Sequence, residues 1–167
     1  KRADAPTLTP SMRIALAADE PYPVHATVRR LLEARGHVVV PFGAVATGAE
    51  APWADVAEAA ARAVAVGDCA EGVLFCWSGT GIAMAANKVP GIRAALCADA
   101  ASARNAREHN DANVLTLGAK FVEPGDHPGD RPAERCEARS VPGVGQVAVG
   151  DDRIDARGNE VLDLVEL

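Results

Sequence analysis

The sequence predicts an α/β protein with a doubly wound, five-stranded parallel sheet and an atypical C-terminal tail. Short apolar runs alternate with alanine-rich helical runs from residue 12 to residue 122, which is the pattern of successive strand–helix units around a parallel sheet. The run GVLFCW at 72–77 is apolar throughout, as a strand covered on both faces should be. After residue 122 this alternation stops, so the tail should not add another strand–helix unit.

Each predicted strand but the last is followed by one predicted helix. The first helix has Val24, Val28, Leu31 and Leu32 on one face, and Gly36 and Gly67 supply the C-terminal signals of the first two helices. The predicted strands are 12–19, 37–43, 72–77, 91–99 and 113–119, and the predicted helices are 23–35, 53–66, 82–88 and 102–110. Residues 12–122 should therefore form one Rossmann-like core.

The two ends of the chain differ from this core. Residues 1–11 are small, polar and proline-bearing, which is typical of a vector-derived or disordered prefix. The stretch EPGDHPGDRP at 123–132 is rich in proline and glycine, so residues 123–142 should be irregular. Residues 145–167 alternate in polarity around two turn signals and are predicted to be at least partly β-stranded. Residues 123–167 are thus a divergent C-terminal extension.

Composition excludes several function classes. Of the 167 residues 49% are hydrophobic and 24% charged, which is typical of a soluble globular domain. The net charge of -6 disfavours a nucleic-acid partner. Because no apolar run reaches the length of a membrane span and no signal-peptide core is visible, we expect a cytoplasmic protein without a membrane partner. The four cysteines lack C-x-x-C spacing, so we expect reduced thiols and no metal site.

Suitable chemical groups follow three of the five predicted strands. Asp19 follows the first strand, Cys76 to Gly81 end the third and turn into the next helix, and Asp99 follows the fourth. In an open parallel sheet, ligands bind outside the carboxyl ends of the strands, near the point where strand order reverses. These residues are therefore the candidates for a site.

The most informative of these features is the turn Ser78-Gly79-Thr80-Gly81. Its glycines let the backbone approach a ligand, and the free N–H groups at the start of the next helix favour an anion. The turn lacks the spacing of a nucleotide P-loop or a dinucleotide fingerprint. Taken alone, it is equally consistent with an anion cradle and with a merely tight strand-to-helix turn.

A longer segment gives the turn a context. Residues 76–120, CWSGTGIAMAANKVPGIRAALCADAASARNAREHNDANVLTLGAK, resemble the central segment of the type B ribose-5-phosphate isomerase and galactose-6-phosphate isomerase family, with AANK, GIRA, EHN and NVL at matching intervals. MRIALAADE at 12–20 resembles the first strand of that family. The resemblance covers residues 12–120 and implies an aldose–ketose isomerase that uses no cofactor or metal and acts on a sugar phosphate through an enediolate.

The resemblance also implies residue roles. Cys76 falls where one branch of the family has its proton-transferring cysteine, whereas Ile82 falls where another branch has a glutamate base. Ser78, Gly79 and Gly81 match the anion-hole turn, and Trp77 and Thr80 beside them should contact substrate. Three roles lie outside this turn: the resemblance implies that Asp19 lies near the ring oxygen or hydroxyls, His109 opens the ring, and Asn110 binds hydroxyls. It further implies a homodimer or homotetramer with sites at subunit interfaces.

Several positions depart from the family pattern. Glu20 replaces an expected histidine, and the D-Y-P before the second helix is replaced around 52–54. Lys120 stands for an arginine, keeping the charge but losing the bidentate fork. The family's phosphate-binding arginines are not recognisable after Phe121, and the candidates to replace them are Arg131, Arg135 and Arg139.

These departures leave alternatives open. The preferred function is isomerisation of a phosphorylated sugar, with ribose 5-phosphate as the default substrate. The alternatives are a sugar-binding relative, an isomerase of an unusual or unphosphorylated sugar, and a non-catalytic subunit of a hetero-oligomeric isomerase. Four other residues are predicted to be structural: Trp53 as a helix-face anchor, His25 and His37 as surface groups, and Asn87 as a residue that holds a turn.

Overall fold

A computed structural model describes residues 10–122 of the chain. Within that range there are five strands and six helices in chain order: β1 (Arg13–Ala18), α1 (Pro23–Ala34), β2 (Val38–Gly43), α2 (Ala44–Thr47), α3 (Trp53–Ala65), β3 (Glu71–Cys76), α4 (Thr80–Ala86), β4 (Ala94–Leu96), α5 (Ala100–Asn110), β5 (Val114–Gly118) and α6 (Ala119–Val122). The predicted prefix up to residue 9 and the predicted tail from residue 123 lie outside the described residues.

The five strands form one parallel sheet in the order β2-β1-β3-β5-β4. The chain moves from β1 to β2 on one side and then continues with β3 on the other side of β1. Strand order therefore reverses between β1 and β3, whose register pairs Ala18 with Phe75 close to the carboxyl edge. A crevice at such a reversal is the usual ligand site of a doubly wound sheet.

Helices cover both faces of the sheet, as alternating side chains along β1 require. Ile14, Leu16 and Ala18 point to the face packed by α1 and α5. Ala15 and Ala17 point to the opposite face, which is packed by α3 and α4. Because the side chains packed on both faces of the sheet are apolar, each face excludes water and the central strands β1 and β3 are buried. The predicted doubly wound α/β fold is confirmed.

The predicted elements differ from the observed ones mainly at their ends. The predicted fourth strand, 91–99, is reduced to Ala94–Leu96, because β4 is an edge strand paired only with β5. The Asn87 side chain fixes the start of β4. Its amide NH2 donates to the carbonyls of Ala83 and Ala94, and its amide oxygen accepts from the N–H of Ala94. The prediction that Asn87 holds a turn is confirmed, and the short helices α2 and α6 were not predicted.

Two single-residue predictions were wrong. His37 is buried rather than on the surface, and the N–H of Met12 lies 3.3 Å from its Nδ1. Trp53 is not anchored in the core, because 48% of its surface is exposed. Ser11, placed in the prefix, instead donates a hydrogen bond to the carbonyl of Gly36 at 2.7 Å.

Three of the four cysteines lie in the part of the chain that the structure describes. Cys69, Cys76 and Cys97 are buried and free, while Cys136 lies outside the described residues. Burial raises the pKa of both Cys69 and Cys97. No helix in the range 10–122 is long and apolar enough to cross a bilayer.

Candidate active site

The carboxyl edge of the sheet brings together most of the predicted site residues. Cys76 ends β3, Asp19 directly follows β1, and Gly118 ends β5 opposite Cys76 in the register. The turn Trp77–Gly79 leads from Cys76 into α4, and Lys120 lies in α6 just beyond β5. The strand order thus places two chemically useful residues, Asp19 and Cys76, on either side of the β1/β3 reversal.

The turn after β3 is organised around the cysteine sulfur. The backbone N–H of Gly79 donates to Cys76 Sγ at a distance of 3.2 Å. The N–H of Thr80 lies 3.3 Å from Ser78 Oγ. Gly79 is the N-cap residue of α4, so the Ser78 side chain makes a contact within the turn. Donation of an N–H to sulfur stabilises negative charge there.

Glycine is required at the centre of this turn. Gly79 has φ +74, and a Cβ there would lie 2.7 Å from the N of Gly118 and 2.8 Å from the carbonyl carbon of Leu117. The turn therefore packs directly against the backbone at the end of β5. A backbone hydrogen bond from Lys120 N–H to Trp77 O, 3.2 Å long, joins the same two segments. The position of Cys76 is fixed by backbone packing from two strands.

Asp19 lies in a partly dehydrated environment. It is 8% exposed, and its Oδ1 atom has no hydrogen-bond partner among residues 10–122. Burial raises the pKa of Asp19, and the charge of Glu20 adds to this effect. The Tyr22 hydroxyl and nearby backbone N–H groups partly offset the rise. A buried carboxyl of this kind is suited to proton exchange or to binding a sugar hydroxyl.

Tyr22 was missed by the sequence analysis. It is the residue before α1, its side chain is 2% exposed, and its hydroxyl faces Asp19. Burial raises the pKa of Tyr22 well above its ordinary value, and the negative charges of Asp19 and Glu20 raise it further. The phenol therefore stays protonated and can act as a donor toward Asp19. The only signal in the sequence was a single tyrosine between two prolines.

Asp99 is occupied by a structural role. It is the N-cap residue of α5, where its Oδ1 accepts from the N–H of Ser102 at 2.6 Å in a capping box. This backbone hydrogen bond lowers the pKa of Asp99. Asp99 is therefore a poor proton acceptor near neutral pH, although it follows a strand end as predicted.

His109 and Asn110 lie at the other edge of the sheet. They end α5, which runs from the carboxyl edge back to the start of β5. The Asn110 carbonyl accepts from Arg93, and Arg107 one turn earlier forms an ion pair with Glu71 at the start of β3. Glu71 and Cys76 are five residues apart on one strand, a span of about 16 Å. One subunit alone thus does not bring His109 to Cys76.

Lys120 and the remaining turn residues lie at the carboxyl edge. Lys120 is exposed, with its Nζ 4.6 Å from the centre of the Phe121 ring. Trp77 is half-buried against the core that α1 and α5 cover. No group of three or more His, Cys, Asp or Glu side chains placed to hold a metal ion occurs in residues 10–122.

Comparison with known proteins is consistent with this geometry. The family model described as Ribose/Galactose Isomerase matches residues 14–127. D-erythrulose-4-phosphate isomerase of Pectobacterium atrosepticum is 38% identical over 114 residues, covering 68% of this chain and 75% of the relative. Ribose-5-phosphate isomerase B of Escherichia coli is 41% identical over 98 residues, 59% of this chain and 64% of the relative.

A solved structure gives the same result. Ribose-5-phosphate isomerase B of Clostridium thermocellum matches with a TM-score of 0.61 and 41% sequence identity, covering 65% of this chain and 74% of that one. The predictions of the family and of an enzyme are confirmed. The chain belongs to the ribose/galactose isomerase family, a family of sugar-phosphate isomerases.

Proposed function

We propose that this protein interconverts the aldose and ketose forms of a phosphorylated sugar, with Cys76 as the base that moves the proton. The default substrate pair is ribose 5-phosphate and ribulose 5-phosphate. One observation carries the proposal: Cys76 Sγ ends β3 at the strand-order reversal and accepts the Gly79 N–H at 3.2 Å. An N–H donated to sulfur is a contact that a base made of sulfur requires, because it fixes the side chain at the carboxyl edge of the sheet.

The proton transfer balances without a cofactor. The thiolate removes the proton from C2 of the open-chain aldose, and the electron pair forms the C1–C2 double bond of an enediolate with its charge on O1. A proton moves from O2 to O1, with the Ser78 hydroxyl as the relay. The thiol then returns its proton to C1, so that O2 becomes the ketone oxygen and the thiolate is restored.

The N–H groups of the turn have two roles in this proposal: one donates to the base, and the others stabilise the intermediate. Gly79 donates to the sulfur, so it serves the base. The first-turn N–H groups of α4, including that of Gly81, have no acceptor within their own helix. In this proposal they stabilise the oxygen on which the charge develops, as preorganised donors do in an oxyanion hole.

Ring opening requires a second subunit in this proposal. His109 and Asn110 end α5 at the amino edge, whereas Cys76 lies at the carboxyl edge. A homodimer or homotetramer in which α5 of one copy reaches the turn of another would unite them. Asp19 would then hold the ring oxygen or a hydroxyl from the first copy.

Phosphate binding is the least defined part of the site. Lys120 is an exposed cation at the carboxyl edge, and the candidate arginines 131, 135 and 139 lie outside the described residues. Glu20 beside Asp19 disfavours a phosphate at that end of the site. The 38% identity to D-erythrulose-4-phosphate isomerase supports a substrate of four carbons. Because its charge disfavours a phosphate, Glu20 favours the alternative in which the protein binds a sugar without a phosphate group.

The test is an isomerase assay on four-, five- and six-carbon sugar phosphates and the corresponding free sugars. Turnover of a phosphate but not its free sugar supports the proposal, and binding without turnover supports the sugar-binding alternative. Exchange of C2 deuterium with solvent should fall by at least about 100-fold in Cys76→Ser. Cys69→Ser and Cys97→Ser are the matched controls, since both thiols are buried elsewhere. Near-normal exchange in Cys76→Ser would reject Cys76 as the base.

A further inference from the structure

Trp53 is a large, partly exposed apolar side chain that the proposed mechanism does not use. It is the first residue of α3, and nearly half of its surface is exposed although the rest of that helix buries an apolar face. Pro52 precedes it as the N-cap residue, and the Val56 N–H bonds back to the Pro52 carbonyl at 3.1 Å. The indole is therefore presented from a rigid helix start.

Two contacts place this indole at the active site. A Cβ built on Gly81 would lie 3.3 to 3.5 Å from Cε3, Cζ3 and Cδ2 of Trp53, so the six-membered ring packs on the turn after β3. The loop before Trp53 is tied to the other side of the crevice, because the Ala51 N–H donates to the Asp19 carbonyl at 2.8 Å. Trp53 thus stands between Asp19 and the Ser78–Gly81 turn.

The chemistry of the crevice is incomplete without an apolar surface. Asp19, Ser78 and the N–H groups of the turn are all polar, whereas small-molecule sites combine a few polar groups with aromatic or apolar walls. The carbon-bound hydrogens of a sugar form an apolar face that packs on an indole. A tryptophan offers such an area at a low cost in side-chain entropy.

We propose that the exposed part of the Trp53 indole is the apolar wall of the sugar subsite, where it contacts the carbon chain of the substrate and limits the chain length accepted. This inference rests on the proposed function for its kinetic readout. Because the ring lies over Gly81, a longer carbon chain extending from the turn meets it before reaching solvent.

The kinetic test compares Trp53→Ala and Trp53→Phe with wild type on four-, five- and six-carbon sugar phosphates. We expect Trp53→Ala to lower kcat/KM for the preferred substrate by roughly 10- to 100-fold and to improve the relative use of the longest sugar. Trp53→Phe should retain most of the preference. Val66→Ala is the matched control, because it removes an exposed apolar group at the other end of α3. It should change neither kcat/KM for the preferred substrate nor the relative use of the longest sugar.

A binding readout separates this inference from the proposed function. Wild-type tryptophan emission should change on addition of ribitol 5-phosphate, which cannot be isomerised, but not on addition of inorganic phosphate. The part of this emission change that belongs to Trp53 is the difference between wild type and Trp53→Phe, in which Trp77 is the one remaining tryptophan. If wild type turns over no sugar phosphate while this emission responds, the proposed function fails and the inference stands. If wild type is active but emission is silent and Trp53→Ala keeps the wild-type chain-length ranking, the inference is overturned. Silent emission together with a changed oligomeric state in Trp53→Ala also overturns it, since Trp53 is then a subunit contact.

Discussion

The two edges of the sheet differ in how they hold their functional residues. At the carboxyl edge, Cys76 and Asp19 are buried and fixed by backbone contacts from neighbouring strands. At the amino edge, His109 and Asn110 are exposed at the end of a helix, near the half-buried ion pair between Arg107 and Glu71. The carboxyl edge is preorganised within one chain, whereas the amino edge presents groups outward.

This difference follows from the physical chemistry of the two kinds of group. A base and an oxyanion site need fixed dipoles and little water, which a strand end under a helix provides. A group that opens a sugar ring must reach the substrate from the side opposite the turn. Exposure at the end of α5 suits a residue that completes the site of a second subunit. The comparison therefore predicts that one variant can be inactivated at the carboxyl edge and another at the amino edge. A dimer that contains one copy of each variant should then regain activity.

The largest expected effect comes from mixing two inactive variants. Cys76→Ser and His109→Ala should each lose at least about 100-fold in turnover as pure proteins. After unfolding and refolding together as an equal mixture, half of the dimers are hybrids, and each hybrid has one site with both residues intact. Activity should therefore recover to about a quarter of wild type if the sites are shared by symmetric dimers.

The control for this experiment is a mixture of each variant with itself, which should stay inactive. Sedimentation of the wild type at micromolar concentration should give a dimer or a tetramer. A fully active monomer, or the absence of any recovery in the refolded mixture, would show that His109 acts within its own chain or not at all.

The second prediction compares a glycine at each edge. Gly79 at the carboxyl edge and Gly91 at the amino edge both have positive φ, +74 and +86. A Cβ at Gly91 meets nothing within 4 Å, whereas one at Gly79 overlaps the backbone of β5. Gly91→Ala should lower the free energy of unfolding by about 1–2 kcal/mol from conformational strain alone. Gly79→Ala should cost about 3–5 kcal/mol because steric overlap adds to the strain.

Denaturant unfolding of both variants measures this difference, and activity gives a second readout. Gly91→Ala should keep near-wild-type turnover, since the turn it occupies is distant from Cys76. Gly79→Ala should lose turnover even below the temperature at which it unfolds, because the Gly79 N–H no longer points at the sulfur. Equal stability losses in the two variants would mean that β5 moves aside and that the turn is not rigid.

The carboxyl edge could largely be predicted from the sequence, and the amino edge could not. Alternating apolar runs determine which residues follow strands, so Asp19 and Cys76 were placed correctly at strand ends. The tight turn was indicated by the glycines themselves. The position of His109 relative to Cys76 depends on the direction of α5 and on sheet order, neither of which is encoded locally.

Three residues show what local patterns miss. The hydroxyl of Tyr22 faces Asp19 from outside any strand end, and a single tyrosine in a loop has no periodic signal. Trp53 was predicted to anchor a helix face, but its position at the first residue of α3 leaves it beyond the core. His37 follows a helix and looks like surface, yet tertiary packing buries it. In each case burial is decided by contacts distant in sequence.

The smallest expected effect concerns the charge on Asp19, and its sign can be derived from burial. The folded pKa of Asp19 lies above its ordinary value of 3.8, mainly because burial penalises the ionised carboxyl. Between those two values the folded state binds more protons than the unfolded state. The free energy of unfolding should therefore fall as pH rises through that window, and stay lower up to neutral pH. Asp19→Asn removes this penalty, so it should be more stable than wild type at pH 7, and its stability should no longer carry the pH dependence that Asp19 contributes across the window. Tyr22→Phe should lower the free energy of unfolding at pH 7, because the lost hydroxyl lowers the pKa of Asp19 and its removal raises that pKa further.

Urea unfolding of wild type, Asp19→Asn and Tyr22→Phe between pH 3.5 and pH 7 tests this prediction. The difference between two curves cancels the titration of the other groups. If Asp19→Asn is less stable than wild type at pH 7, favourable contacts hold the ionised carboxylate, and burial of Asp19 does not destabilise the folded protein.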